Sequence, residues 1–179
     1  MVSETLAKLG VKWVLVGSTA SYLNGVEVEP KDIDIIVEAD KIYEVDETLA
    51  SIFRALRRVR YSSSKTYSSH YGVFEILGIK VEIMADLKIC GEPGCLNVDF
   101  KELHRHSRNH RVGDENVRVA PLEWQLVANT LIPGKEKRIL KILEALRTRG
   151  MNTEILNSVL SHAPPKVRRR VSELLSQHL

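Results

Sequence analysis

Residues 14–37, VLVGSTASYLNGVEVEPKDIDIIV, decide how this chain is read. The run KWVLVG (12–17) is compact, apolar and closed by glycine, the pattern of a buried strand. Ser18 can open a short helix through Leu23, and Asn24-Gly25 stops it. Residues 31–38, KDIDIIVE, alternate and then turn apolar, which predicts a second strand.

This strand–turn–helix–strand unit carries chemistry. A glycine at a strand-to-helix turn lets a ligand approach the backbone closely. The N–H groups of the following helical turn face outward and suit a phosphate. Asp32 and Asp34 are two apart on a strand, so both carboxylates leave one face. Adjacent carboxylates repel unless one is protonated or a hard cation such as Mg2+ neutralises them. Acids, metal and phosphate turn together are equipment for phosphoryl or nucleotidyl transfer. That chemistry calls for a third carboxylate. Glu82, in KVEIMAD (80–86), is the first choice; Asp86, of the same parity, is the second.

Outward from this unit, Ile42, Val45, Leu49, Ile52, Phe53 and Leu56 predict an amphipathic helix over 41–59. YSSSKTYSSH (61–70) is polar and Ser-rich and predicts a mobile loop. Residues 71–77 and 79–85 form a hairpin pattern around Leu77-Gly78. Residues 87–100 are predicted irregular, and the basic run 101–111 has no clear period and is expected as a solvated loop. NVRVA (116–120) alternates as a strand, and Pro121 starts a helix through Leu131. After Pro133-Gly134, three helices are predicted at 135–148, 153–161 and 165–177. The expectation is an α/β (α+β) core over 1–132, with a mixed sheet and flanking helices, and a helical segment over 133–179.

The 179 residues, 44% hydrophobic and 27% charged, exclude disorder, collagen and a disulfide-dense mini-protein. No apolar run approaches a membrane span and no leader pattern is visible, so a cytoplasmic protein without a membrane partner is expected. Cys90 and Cys95, in CGEPGC, are expected as free thiols, with a local disulfide as the alternative. The net charge of +3 hides a segregation: residues 26–50 hold nine acids and two lysines, and residues 101–179 hold fifteen Lys/Arg and eight acids. His104, His106 and His110 match no standard zinc spacing. The KVRRR run (166–170) reads as a solvated face, with a nucleic-acid acceptor as the alternative.

The strand, Gly-Ser turn, short helix, Asp-x-Asp and later acidic strand resemble the signature of the polymerase-beta-like nucleotidyltransferase superfamily. The nearest branches are small prokaryotic minimal and abortive-infection-type enzymes. The resemblance covers residues 11–132 and is concentrated in 13–37 and 79–85. It implies a metal-dependent nucleotidyltransferase that moves a nucleoside monophosphate from a triphosphate, ATP foremost, to an acceptor hydroxyl on RNA, a protein or a small molecule. It implies two Mg2+ ions, or Mn2+ in their place. Asp32, Asp34 and Glu82 would be catalytic and metal-binding; Gly17 and Ser18 would hold the triphosphate. Two positions depart from the pattern. Asn129 stands where relatives often carry a phosphate-neutralising lysine, a task that Lys135, Lys137 or Arg138 could take over, Lys135 foremost. Lys31 stands where Ser or Thr is commoner. The alternative is a non-catalytic nucleotide- or nucleic-acid-binding module, or an antitoxin-like partner of a helical protein.

Overall fold

A computed structural model describes residues 1–178. In chain order the elements are α1 (Val2–Lys8), β1 (Trp13–Val16), α2 (Gly17–Leu23), β2 (Asp32–Val37), α3 (Ile42–Ile52), β3 (Arg54–Ser63), β4 (Tyr67–Ile76), β5 (Ile79–Gly91), β6 (Gly94–Asn97), α4 (Phe100–His106), β7 (Arg108–Val112), β8 (Glu115–Val119), α5 (Leu122–Leu131), α6 (Glu136–Arg149), α7 (Thr153–Ser161) and α8 (Pro165–His178). The strands form one mixed sheet in the order β3-β4-β5-β2-β1-β8-β7, and β6 pairs with the end of β5. This is the mixed α/β architecture expected from the sequence.

Alternation along the central strands gives the sheet two apolar faces. Leu15, Ile35, Val37, Val81 and Ile83 face α1 and α3, with Leu6, Val45 and Leu49 buried against them. Val14, Val16 and Ile36 face the other way, into a cluster with α5, α6 and α8. Val167 and Val171 of α8 and Ile142 and Leu143 of α6 are fully or almost fully buried there. Each of these short amphipathic helices thus buries its apolar stripe against neighbours, as it must to be stable.

Several segments differ from the sequence-based expectation. The 41–59 helix ends at Ile52, because its apolar stripe is spent at Leu49: Ile52 and Leu56 are exposed. Phe53 turns extended, and β3 follows with Val59 buried. The Ser-rich 61–70 segment is not a mobile loop. It is the tip of a β3–β4 hairpin, in which Ser62 pairs with Ser69 and Ser63 with Ser68. A backbone ladder fixed these polar residues; side-chain periodicity gave no sign of it. Residues 87–100 continue β5 and add β6, and residues 101–111 form α4 and β7 in place of a loop. Cys90 and Cys95 face each other across β5 and β6, with Cα atoms 4.1 Å apart, and form a disulfide in place of the expected free thiols.

Asp46 fastens the edge hairpin to α3. Its buried carboxylate accepts the Val59 N–H at 2.9 Å and the Arg58 Nε–H at 2.8 Å. Asp46→Ala should lower unfolding stability by about 2 kcal/mol, since it orphans a buried N–H. Arg58 is half exposed, and Arg58→Ala should cost less than about 1 kcal/mol. Urea denaturation of the two variants checks this order.

Candidate active site

The parallel pairing of β2 with β5 sets the geometry. Asp34 lies opposite Glu82 in register, and Asp32 opposite Lys80. Asp32, Asp34, Glu82 and Met84 continue the row of Ile36, on the face covered by α5. All three acids line one cleft of about 600 Å³, together with Gly17, Ser18, Lys135 and Arg138. The first-choice site residues, Gly17, Ser18, Asp32, Asp34, Glu82 and Lys135, are therefore at this cleft. Asp86 is not. It is exposed and adopts a left-handed backbone (φ 52°) at a bulge where β5 gains one residue against β4. The bulge reverses the parity, so Leu87 and Ile89 take the inward places.

Gly17 is required by shape as well as by backbone. Its φ is +69°, and a Cβ there would overlap the Asp34 carboxylate. The first turn of α2 is thereby brought onto the acids. Ser18 Oγ donates to Asp32 Oδ1 at 3.5 Å, and Thr19 Oγ1 donates to the Asp32 carbonyl at 2.7 Å. A buried polar seam then locks α2 to α5. Ser21 bonds Gln125, whose Nε2 donates to the Ala120 carbonyl at 3.1 Å. Asn24 Nδ2 bridges the carbonyls of Ala20 and Ala120.

The acids carry uncompensated charge. Burial, then the carboxylates of Asp32 and Glu82, raise the Asp34 pKa to about 7; Arg138 and Lys135 offset part of this. Among the described residues, no three acidic, histidine or cysteine side chains close into a ready-made metal cage. The acids stand as an open row on two strands.

Two cleft residues, Tyr71 and Tyr67, and Arg57 packed behind Tyr71 had no sequence signal. Tyr71, on β4 opposite Met84, lies beside Glu82; burial and then that carboxylate push its phenol pKa well up, so it remains an O–H donor. Arg57 lies over the Tyr71 ring, 5.2 Å from its centre, and reaches Ser62. Tyr67 lines the cleft from the hairpin tip, its phenol also raised, by burial first and then by Asp34. Only an assignment of 61–70 to strands could have aimed these residues at the acids. Lys137, by contrast, is exposed, whereas Lys135, just before α6, and Arg138 of α6 line the cleft. The histidines are dispersed: His104 stacks on Phe100, His106 lies 3.5 Å from Glu102, and His110 sits on β7.

A family profile described as aminoglycoside-2''-adenylyltransferase matches residues 1–147. The chain belongs to this family. Its fold accords with the polymerase-beta-like nucleotidyltransferases, and the family's general chemistry is nucleotidyl transfer. A candidate nucleotidyltransferase from Thermotoga maritima is similar, at 33% identity and TM-score 0.62, over 83% of this chain and 87% of that one. The lincosamide adenylyltransferase LnuA, solved with lincomycin, shares the fold at 14% identity and TM-score 0.51, over 78% of this chain and 90% of that one. ANT(2'')-Ia, solved with adenylyl-2''-tobramycin, shares it at 13% identity and TM-score 0.52, over 95% and 94%. No curated protein matches the chain significantly. No helix of the described residues is long and apolar enough to cross a membrane.

The raised Asp34 pKa predicts a pH dependence. Between the ordinary carboxyl value of 3.8 and about 7, the folded protein holds a proton that the unfolded chain releases. Stability therefore falls as pH rises through that window and levels off above it, by on the order of 4 kcal/mol at most. Metal-free Asp34→Asn should melt above wild type at pH 8, with the gap closing towards pH 4. Superimposable melting curves at pH 8 contradict this reading.

Proposed function

We propose that the chain transfers a nucleoside monophosphate from a nucleoside triphosphate, ATP foremost, to a hydroxyl of a small molecule, releasing pyrophosphate. The observation that carries this reading is the register pair Asp34–Glu82 beside Asp32, pressed against the Gly17-Ser18 turn. The donor set is all hard oxygen and net negative, which fits Mg2+ or Mn2+ and no softer ion. Asp32 and Asp34 would hold the two ions, with Glu82 completing the second position. When bound, the ions supply charge neutralisation for the triphosphate and a lowered pKa for the attacking hydroxyl.

The chain's own residues do the rest. Gly17 and Ser18 cradle the leaving pyrophosphate, with Lys135 and Arg138 beside them to offset its charge. Glu82 draws the proton from the acceptor hydroxyl. Tyr71, beside Glu82, acts as a positioning residue: its O–H would orient that carboxylate, and Arg57 packs over the ring. The family match supports an adenylyl donor. A small-molecule acceptor is supported by the same match.

Asp34→Asn should lower metal-dependent pyrophosphate release by at least about a thousandfold while the fold persists, since it removes charge stabilisation at the reacting centre. Gly17→Ala should do the same by displacing that carboxylate. Tyr71→Phe should lower kcat about tenfold with little change in nucleotide KM. Coupled pyrophosphate assays measure all three. Full activity of Asp34→Asn overturns the assignment.

A further inference from the structure

The cleft continues past Glu82 along β5 into a mostly apolar compartment. Its floor is Met84, Leu87 and Ile89, and α5 walls it with Trp124, Ala128 and Ile132. Asn129 lies in this wall and is 7% exposed. Its Nδ2 donates to the Gln125 carbonyl at 2.7 Å, which fixes the orientation of the carboxamide. The other end, Oδ1, is buried and has no hydrogen-bond partner among the described residues. Leaving a buried carbonyl unpaired is costly, so a donor from outside the fold would be favourable there.

Charge narrows what that something is. With Asp32, Asp34 and Glu82 committed to the reaction and Lys135 and Arg138 to the pyrophosphate, the charges left among the described lining residues are Glu29, which is exposed, and Lys31. These two offset one another. A polycation would find no free buried carboxylate, a poor match for desolvating ammonium groups. Glu82, as the base, must face the acceptor, and the space on the β5 side of Glu82 is this apolar compartment.

We propose that the acceptor is an uncharged, largely apolar small molecule, which presents its hydroxyl to Glu82 and an N–H or O–H donor to Asn129 Oδ1. A polycationic aminosugar does not fit this compartment. The inference rests on the nucleotidyl-transfer reading and specifies its acceptor.

The test uses the full-length protein in two arms. In the first, calorimetry measures a non-hydrolysable ATP analogue with Mg2+, on wild type and on Asp34→Asn. Loss of binding in the variant supports nucleotidyl transfer; no binding to wild type overturns that reading by itself. In the second, ligand-observed NMR screens the analogue-loaded protein. One probe set holds uncharged hydroxylated aromatics and amides, and the other holds aminoglycosides such as tobramycin. Hits are expected from the uncharged set, displaced or weakened about tenfold by Asn129→Leu, the loss of one buried hydrogen bond. The same variant should keep its nucleotide affinity and melt no lower than wild type, since it removes an unpaired buried oxygen. The proposal is overturned by preferential aminoglycoside binding, by no millimolar hit in the uncharged set, or by hits that bind Asn129→Leu as well as wild type. A loss of nucleotide affinity in Asn129→Leu also overturns it, by moving Asn129 to the other substrate.

Discussion

The rest of the site depends on the repulsion among three carboxylates held on adjacent parallel strands. Pairing β2 with β5 places Asp34 opposite Glu82, and the two-residue period adds Asp32 on the same face. Left alone, these groups oppose folding: burial first, then this repulsion, raises the Asp34 pKa to about 7. The surrounding architecture contains this conflict. Gly17 lets the α2 turn close on Asp34, and the Ser21–Gln125 and Asn24–Ala120 bonds tie that turn to α5. Lys135 and Arg138 stand at the rim. A site that stores unpaired charge at a cost in stability is characteristic of function.

The cleft combines pieces from distant parts of the chain. The phosphate turn and two acids arrive early, the third acid comes from β5, and the hairpin tip and α5–α6 complete the walls. The three C-terminal helices matter to the site for this reason: they share the apolar cluster under α5 and so hold Lys135 and Arg138 at the acids.

Much of this was legible in the sequence. Residues 14–37 named the strand, turn, helix and strand, and Glu82 stood out as an acid between Val81 and Ile83 on a later strand, because apolar alternation and glycine report directly on buried central elements. The C-terminal helices were legible because their apolar stripes repeat without interruption. The edge of the sheet was not. In β3 and β4, exposed residues such as Arg58, Tyr61 and Ser63 follow no apolar period, since an edge hairpin is held by its ladder. Missing that hairpin hid Tyr67, Tyr71 and Arg57. Asp86 shows a different limit: parity arguments fail at a bulge, and no residue type marks this one. The disulfide depended on a pairing of β5 with β6 that a Gly-Pro turn only hinted at.

The charge segregation of the sequence has a structural counterpart, in part. Asp32 and Asp34 of the acidic segment meet Lys135 and Arg138 of the basic one across the cleft. Most remaining charges are solvated, and Lys166, Arg168 and Arg169 of α8 project outward. The most direct test of the account is a crystal structure with Mn2+ and a non-hydrolysable ATP analogue, read by anomalous scattering. The account predicts manganese within about 2 Å of the Asp32 and Asp34 oxygens, and the triphosphate against Gly17 and Ser18. Manganese bound away from these carboxylates, or a nucleotide seated elsewhere, would contradict it.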